Sequence, residues 1–354
     1  MTPPSTPVTV GRAASAVALR GRLARVWSEW LNVQLAAGVA LVLVTAALGA
    51  MVSSTYYLQI MVLTALYAAV GVAWAIAGGL SGVLLLGYIS FFGAGAYTNG
   101  ILYTKLGVSP WLNLFAGAAV AAALALFVAG ITLRFGLNED YFAMFTVALS
   151  QVLKLLLLNW EYAGRATGIY ITVVRDDVWN MAFVDRKPYL YIALGLLLAV
   201  LAASYAIQRS RLGYFLAAVR ENAQAAEALG INESRVKTIA IVASGTLAGA
   251  LGAFWGQFAT FVDPKQAFSL AKNFEMLLGP VLGGRLSLIG PVLGAGVIKP
   301  LEDLLRGWLG GGADALYLVL YGAALVAGCL LLPRGIAVYL EAAHRRWARG
   351  RSPA

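Results

Sequence analysis

The chain has 354 residues, of which 60% are hydrophobic and 12% charged, and its formal net charge is +10. Soluble domains carry about 25% charged residues, so this composition excludes a soluble globular protein. Several apolar runs reach the ~20 residues that cross a bilayer core. Because these runs are continuous and do not alternate with polar residues, they also exclude a β-barrel. We therefore predict an all-α, polytopic transmembrane helical bundle.

The chain begins with a polar, basic segment, residues 1–32. We expect no regular structure over 1–18 and a short amphipathic helix over 19–32 at the membrane interface. A transmembrane domain is predicted over 33–333, followed by a basic tail over 334–354. Arginines cluster at both ends of the chain, at positions 12, 20, 22, 25, 334, 345, 346, 349 and 351. Clusters at span ends report orientation in the membrane, so nucleic-acid binding is not indicated.

Uninterrupted apolar runs predict seven ordinary spans: 33–52, 58–77, 111–133, 141–159, 188–207, 238–261 and 315–332. Two further apolar segments contain many glycines: 80–104, which we count as the third crossing of the membrane, and 274–300. Segments interrupted by glycine or proline are typical of transport pathways, whereas small residues also serve close helix packing. The sequence supports both interpretations equally.

The segment 274–300 is interrupted by Pro280, Gly283 and Gly284. If both basic ends of the chain are cytoplasmic, this segment must enter the membrane and return. We therefore predict two half-helices with a hinge near Gly283 and Gly284, which protein or a water-filled cavity must support. The alternative is one kinked span. The same charge rule places residues 209–237 in the cytoplasm and the loop 160–187 outside.

Residues that would carry catalysis or bind a metal are scarce. His344 is the only histidine and lies in the tail, and no phosphate-binding GxxxxGK[ST] motif occurs. The adjacent acids Glu302 and Asp303 are expected to be solvated caps. Lys154 lies inside a predicted span, where it either serves a pathway or extends to the outer surface. We predict no catalytic residue, no metal and no cofactor in this chain, so uphill transport needs energy from another subunit.

Residues 214–229 combine strong helix formers with charges between two apolar spans. Gly230 is predicted as the C′ residue that ends this helix, and Asn232 as the N-cap of the next helix. Alone, the segment is typical of an amphipathic interfacial helix.

Four motifs occur in family order: GLSGVLLLGYISFFGAGAY (79–97), DYFAMFT (140–146), RENAQAAEALGI (220–231) and GGRLSLIGPVLGA (283–295). With them the chain resembles the LivM-type permease subunits of branched-chain amino acid ABC importers, within the hydrophobic amino acid and urea permease family. Several residues differ from the family motifs, and these differences bear on the substrate more than on the transport mechanism. They are Val83, Leu85, Tyr88, Leu286 and the outer-loop sequence GRATGI at 164–169.

The resemblance implies a type II ABC-importer-like permease in the bacterial inner membrane, with both termini cytoplasmic. It implies a LivH-type permease partner, two cytosolic LivG/LivF-type ATPases that bind ATP and magnesium, and an external solute-binding protein. An apolar path without fixed counter-charges suits an aliphatic amino acid. A urea or short-amide permease is the alternative within the family, and a stand-alone channel or secondary carrier the alternative outside it.

Three groups of site residues follow from the resemblance. Coupling to the ATPases is expected at Arg220, Glu221, Asn222, Ala226, Glu227, Ala228 and Gly230. The translocation path is expected at Tyr88, Phe91, Phe92, Tyr97, Tyr141, Phe142, Gly283 and Gly284. Contact with the binding protein is expected at Tyr162, Gly168, Tyr170 and Trp179, in a loop that also carries Trp160.

Overall fold

A computed structural model of the chain describes residues 9–134, 139–172, 177–309, 322–323, 326, 330 and 335–339. Its helices are α1 (Thr9–Met51), α2 (Thr55–Trp74), α3 (Ile89–Leu106), α4 (Pro110–Arg134), α5 (Glu139–Asn159), α6 (Lys187–Arg209), α7 (Arg211–Glu221), α8 (Ala223–Ala228), α9 (Glu233–Ala259), α10 (Pro264–Ala267), α11 (Leu270–Gly283) and α12 (Gly290–Leu309). Two short strands, β1 (Ile169–Tyr170) and β2 (Phe261–Val262), pair antiparallel. The predicted all-α class is confirmed.

Within the described residues, six helices are long and apolar enough to cross a membrane. They are Leu31–Met51, Thr55–Leu80, Pro110–Thr132, Asp140–Asn159, Lys187–Arg209 and Glu233–Ala259. Each of them overlaps one of the first six spans predicted from hydropathy. The seventh predicted span, 315–332, falls almost entirely outside the described residues, as does most of the predicted tail.

The first helix is longer than predicted. α1 runs without a break over 43 residues, from Thr9 to Met51, which is about 65 Å at the rise of an α-helix. The prediction of a separate interfacial helix over 19–32, preceded by unstructured residues, is therefore wrong for residues 9–32. No proline occurs between Thr9 and Met51, and alanine, leucine and arginine favour helix across the junction.

α2 is the central helix of the bundle and contacts α6, α9, α11 and α12. A helix that is apolar on every side can be buried on every side, and α2 is buried along most of its length. It widens into a π-helix over Ala75–Leu80 before the chain becomes irregular at 81–88. Trp74 donates its indole N–H to the Leu85 carbonyl at 2.9 Å, which satisfies one backbone group that this break leaves unpaired.

α3, α4 and α9 pack closely because small residues line their contacts. A Cβ added at Gly95 would lie 1.9 Å from the carbonyl oxygen of Gly249, and one added at Gly252 would lie 1.9 Å from that of Phe92. Both distances are far below van der Waals contact, so only glycine permits these helices to approach so closely. The structure thus favours the packing interpretation at these positions.

α11 and α12 form an antiparallel hairpin, with the break between them at 284–289. Gly283 faces Gly290 across the hairpin, and a Cβ added at Gly294 would lie 1.9 Å from the carbonyl oxygen of Gly279. The predicted pair of broken helices is confirmed, and the alternative of one kinked span is wrong. α12 continues past the predicted end at Pro300 because an internal proline removes one hydrogen bond without ending a supported helix.

Candidate transport and coupling sites

The segment between α6 and α9 forms two helices where one was predicted. Asn222 interrupts the helix with extended dihedral angles (φ −159°, ψ 105°), and its side-chain oxygen accepts a hydrogen bond from the Ala225 N–H at 2.9 Å. Asparagine competes with helical bonding in this way and favours the N-cap position. The prediction of a continuous helix over 214–229 is therefore wrong, although both halves remain helical.

Both predicted end signals of this segment are confirmed. Gly230 has φ +84°, a left-handed conformation that glycine adopts without strain. The side chain of Asn232 then caps α9 by accepting from the Arg235 N–H at 2.8 Å. Below the segment, Leu216 packs with Val236 in a small buried cluster that fixes α7 to the start of α9.

The predicted coupling residues divide by exposure. Glu221, Asn222, Glu227, Ala228 and Gly230 are exposed, whereas Ala226 is buried and Arg220 is half-buried. Leu229, which we did not single out, is 82% exposed at the tip. Its sequence signal is a large apolar residue directly before a C′ glycine. The exposed tip around α8 thus offers both charges and one apolar side chain.

Arg220 turns inward and not toward the exposed tip. Its guanidinium donates to the Gly79 carbonyl oxygen at 3.5 Å and pairs with Glu221 at 2.8 Å. Gly79 in turn abuts the backbone of Arg285, where a Cβ would lie 2.1 Å from the carbonyl oxygen. The segment α7–α8 therefore touches the break in α2, which touches the turn of the α11–α12 hairpin.

The predicted path residues on α3 lie in the core of the bundle. Tyr88, Phe91 and Phe92 are at most 1% exposed. The Tyr88 hydroxyl donates to the Ser244 carbonyl at 2.9 Å, and its ring meets Phe91 edge to face. Phe92 packs with Trp255 on α9. The structure brings these rings together in the core, and their part in translocation stays a prediction.

The remaining predicted path residues are dispersed. Tyr97 is buried against Phe268, and Phe142 is buried near the start of α5. Tyr141, its neighbour in sequence, is 62% exposed and does not join them. The last pair, Gly283 and Gly284, lies at the turn of the α11–α12 hairpin.

A cluster of charged side chains joins the hairpin to α2. The Lys299 ammonium lies 2.8 Å from Glu302, 3.7 Å from Asp303 and 3.9 Å from Glu275. The Tyr67 hydroxyl donates to the Glu275 carboxylate at 3.2 Å. Glu302 is buried, so the prediction that it is a solvated cap is wrong. The sequence suggested that Glu302 and Asp303 lie at a helix end, because they and Lys299 follow a segment broken by prolines.

The outer-loop aromatics are exposed on a loop that is fixed to the bundle. Tyr162 is 47% exposed, and Tyr170 and Trp179 are each 70% exposed. Tyr170 stacks on Phe261 across the β1–β2 pair, and the Trp179 carbonyl accepts from the Ser109 hydroxyl at 2.6 Å. Gly168 is part of the same surface. It has a φ of +71° and directly precedes β1. Trp160 is exposed beside Tyr162.

Two other predictions concern Lys154 and the absence of a metal site. The Lys154 ammonium donates to the Gln151 side chain at 2.7 Å, one turn back along α5 and away from the loop. Among the residues that the structure describes, no group of three histidine, cysteine or acidic side chains could hold a metal ion.

These features define a class of protein: a multi-pass, all-helical membrane protein with a hairpin of two broken helices and an exposed α7–α8 segment. Residues 56–328 match the family described as the branched-chain amino acid transport system, permease component. The chain belongs to this family. No solved structure matches it.

Individual relatives agree with the family. The chain is 29% identical over 301 residues to the high-affinity branched-chain amino acid transport permease protein LivM of Escherichia coli strain K12, covering 78% of this chain and 69% of LivM. It is 28% identical over 166 residues to LivH of Salmonella typhimurium, covering 47% and 48% of the two chains. It is also 27% identical over 190 residues to the nucleoside ABC transporter permease protein NupC of Lactococcus lactis, covering 51% and 57%.

Proposed function

We propose that this chain is the permease subunit of an ATP-driven importer for branched-chain amino acids, working with a LivH-type permease. The observation that carries the proposal is the exposed α8 tip, residues 222–230, held rigidly between two N-caps and a left-handed glycine. A helix fixed at both ends transmits a push from a bound subunit without bending. Two cytosolic ATPases that bind ATP and magnesium would supply that push.

The internal contacts of the α7–α8 segment support a route for the push. Leu229 and Glu227 are exposed for docking, while Arg220 reaches the break in α2 at Gly79. Movement of α7 would therefore reach the hairpin turn through two contacts, that of Arg220 with the Gly79 carbonyl and that of Gly79 with the Arg285 carbonyl. We expect the hairpin and the break in α2 to be the parts that move when access to the path alternates between the two sides of the membrane.

The end of the bundle opposite α8 carries the features that support an external binding protein as a further partner. The exposed aromatics of the 160–187 loop form a surface suited to an external binding protein, because exposed aromatic residues are enriched at protein interfaces. Hydrogen bonds from Ser109 and Trp111 hold this loop against α4. From the basic ends of the chain we propose that both termini lie in the cytoplasm, and we propose that the membrane is the inner membrane.

The test is ATP-dependent uptake of leucine by the full complex in proteoliposomes, with Glu227→Arg and Gly230→Pro as variants. Glu227→Arg reverses a charge on the exposed tip, and Gly230→Pro cannot adopt φ +84°. We expect each to lower uptake and binding-protein-stimulated ATP hydrolysis at least tenfold. Glu29→Arg, a matched reversal at an exposed position outside the tip, should leave both unchanged.

Retained ATP-dependent uptake in both variants would refute the coupling role, and uptake without any ATPase would identify a stand-alone carrier. The substrate is tested separately with leucine, urea and a nucleoside as competitors. Competition by the nucleoside alone would assign the chain to the chemistry named for the Lactococcus lactis relative.

A further inference from the structure

Two opposite charges lie one turn apart on α11 and do not pair with each other. Lys272 and Glu275 are three residues apart, a spacing that places side chains on neighbouring positions of a helix. The Lys272 ammonium instead lies 4.0 Å from the centre of the Trp255 ring. No carboxylate lies within 4.0 Å of it among the described residues. A partly buried lysine without a carboxylate in a membrane-spanning bundle is costly and needs a reason.

Glu275 is the most exposed of the three acids in the charged cluster. Lys299 and Glu302 form the closed part of the charged cluster, with side chains only 8% and 5% exposed. Glu275 is held at its edge by Tyr67 and by the longer 3.9 Å contact to Lys299, and its side chain is 24% exposed. Three carboxylates surround one lysine, so an added positive charge at Glu275 improves the local balance of charge.

The turn of α11 that carries both charges is fixed in rotation. Asn273, between them, is fully buried, and its side-chain amide bonds to the backbone of Leu86 in the irregular 81–88 segment and of Ile89 at the start of α3. Its oxygen accepts from the Ile89 N–H at 2.9 Å, and its amide donates to the Leu86 carbonyl. Such support holds the two charged side chains in a defined geometry, as a recognition site requires.

We propose that Glu275 and Lys272 recognise the ammonium and the carboxylate of an α-amino acid as it enters the permease. This inference rests on the proposed function and names the groups that would hold the substrate. A zwitterion leaving water needs a counter-charge for each end, and this turn provides one of each sign. Tyr67 contacts Glu275, and Trp255 contacts Lys272, so each charge of the pair lies beside an aromatic ring.

The position of the pair fits entry of substrate. α11 begins directly after β2 and α10, at the same end of the bundle as the 160–187 loop. A binding protein docked on that loop would release its ligand on this side. The pair would therefore be among the first fixed charges that the ligand meets.

The test uses the full complex with its binding protein in proteoliposomes and measures leucine transported per ATP hydrolysed. The variants are Lys272→Met and Glu275→Gln, and the matched controls are Lys265→Met and Glu29→Gln at exposed positions. Because a charge-assisted hydrogen bond is lost in each variant, we expect the ratio to fall about tenfold. ATP hydrolysis stimulated by the binding protein should persist, a result that mere loss of structure would not produce. Lys272→Arg, which keeps the charge, should recover part of the ratio.

Normal coupling in either variant overturns the proposal, because a zwitterion needs both charges. If Glu275→Gln releases the partner permease during purification, Glu275 belongs to a subunit interface and the proposal fails. A variant complex that does not assemble assigns a structural role and also overturns it. Failure of the parent complex to take up leucine is a different result, because it refutes the proposed function itself.

Discussion

Replacing Lys299 with methionine tests whether the charged cluster holds the hairpin to α2. The substitution removes the ammonium that lies 2.8 Å from Glu302 and 3.7 Å from Asp303, whose side chains are 5% and 15% exposed. Removing one partner of a buried ion pair leaves an uncompensated charge and costs about 3–5 kcal/mol. We therefore expect the thermal midpoint of the purified protein to fall by roughly 5–10 °C.

A second variant separates charge from packing. In Lys299→Met/Glu302→Gln, one positive and one negative charge are removed together, so most of the penalty should disappear. Thermal unfolding is followed by tryptophan fluorescence in detergent, with nine tryptophans as reporters. Lys265→Met, an exposed lysine on α10, should stay within about 0.5 kcal/mol of the parent. A double variant no more stable than Lys299→Met would refute the ion-pair argument, as would an unchanged midpoint in Lys299→Met.

Three further predictions concern packing and caps. Gly252→Ala should prevent accumulation of folded protein, because its Cβ would lie 1.9 Å from a backbone oxygen of α3; Gly195→Ala, with open space around it, should accumulate normally in the same size-exclusion assay. Asn222→Ala removes the cap of α8 and should destabilise the tip by about 1 kcal/mol, seen as faster amide exchange over α8 and not over α6. Asn273→Leu removes the side-chain partner of the Leu86 carbonyl and of the Ile89 N–H, so residues 86–89 should lose protection from exchange by at least tenfold. Unchanged protection would contradict the bonding described for them.

The local features of the fold could be predicted because their causes are local. Six spans followed from runs of apolar residues, since hydropathy depends on composition within each run. The broken hairpin was predicted from the adjacent glycines Gly283 and Gly284, where the chain turns between α11 and α12. The ends at Gly230 and Asn232 followed from the chemistry of helix caps. The break at Asn222 was missed because the surrounding alanines favour helix more strongly than one asparagine opposes it.

The burial of the charged cluster could not be predicted because Tyr67 and Glu275 are distant in sequence from Lys299, Glu302 and Asp303. Tyr67 and Glu275 are 208 residues apart, and their hydrogen bond exists only because α2 and α11 pack together. The sequence indicated a solvated acid at Glu302. The structure shows that Glu302 and Lys299, one helical turn apart, are both buried. Burial of a charge depends on every element around it, so no pattern within one segment reports it.

The sequence by itself determined that this chain crosses the membrane many times as helices, where it breaks them, and which family it resembles. These properties depend on hydropathy, on backbone preferences and on short motifs, all of which lie within a few turns of chain. Only the tertiary structure decided that Arg220 turns inward to Gly79. It also decided that Glu275 contacts Tyr67 and Lys299, while Lys272, one turn away, lies against the Trp255 ring. The physical reason is that partners for a charge are set by the packing of distant helices.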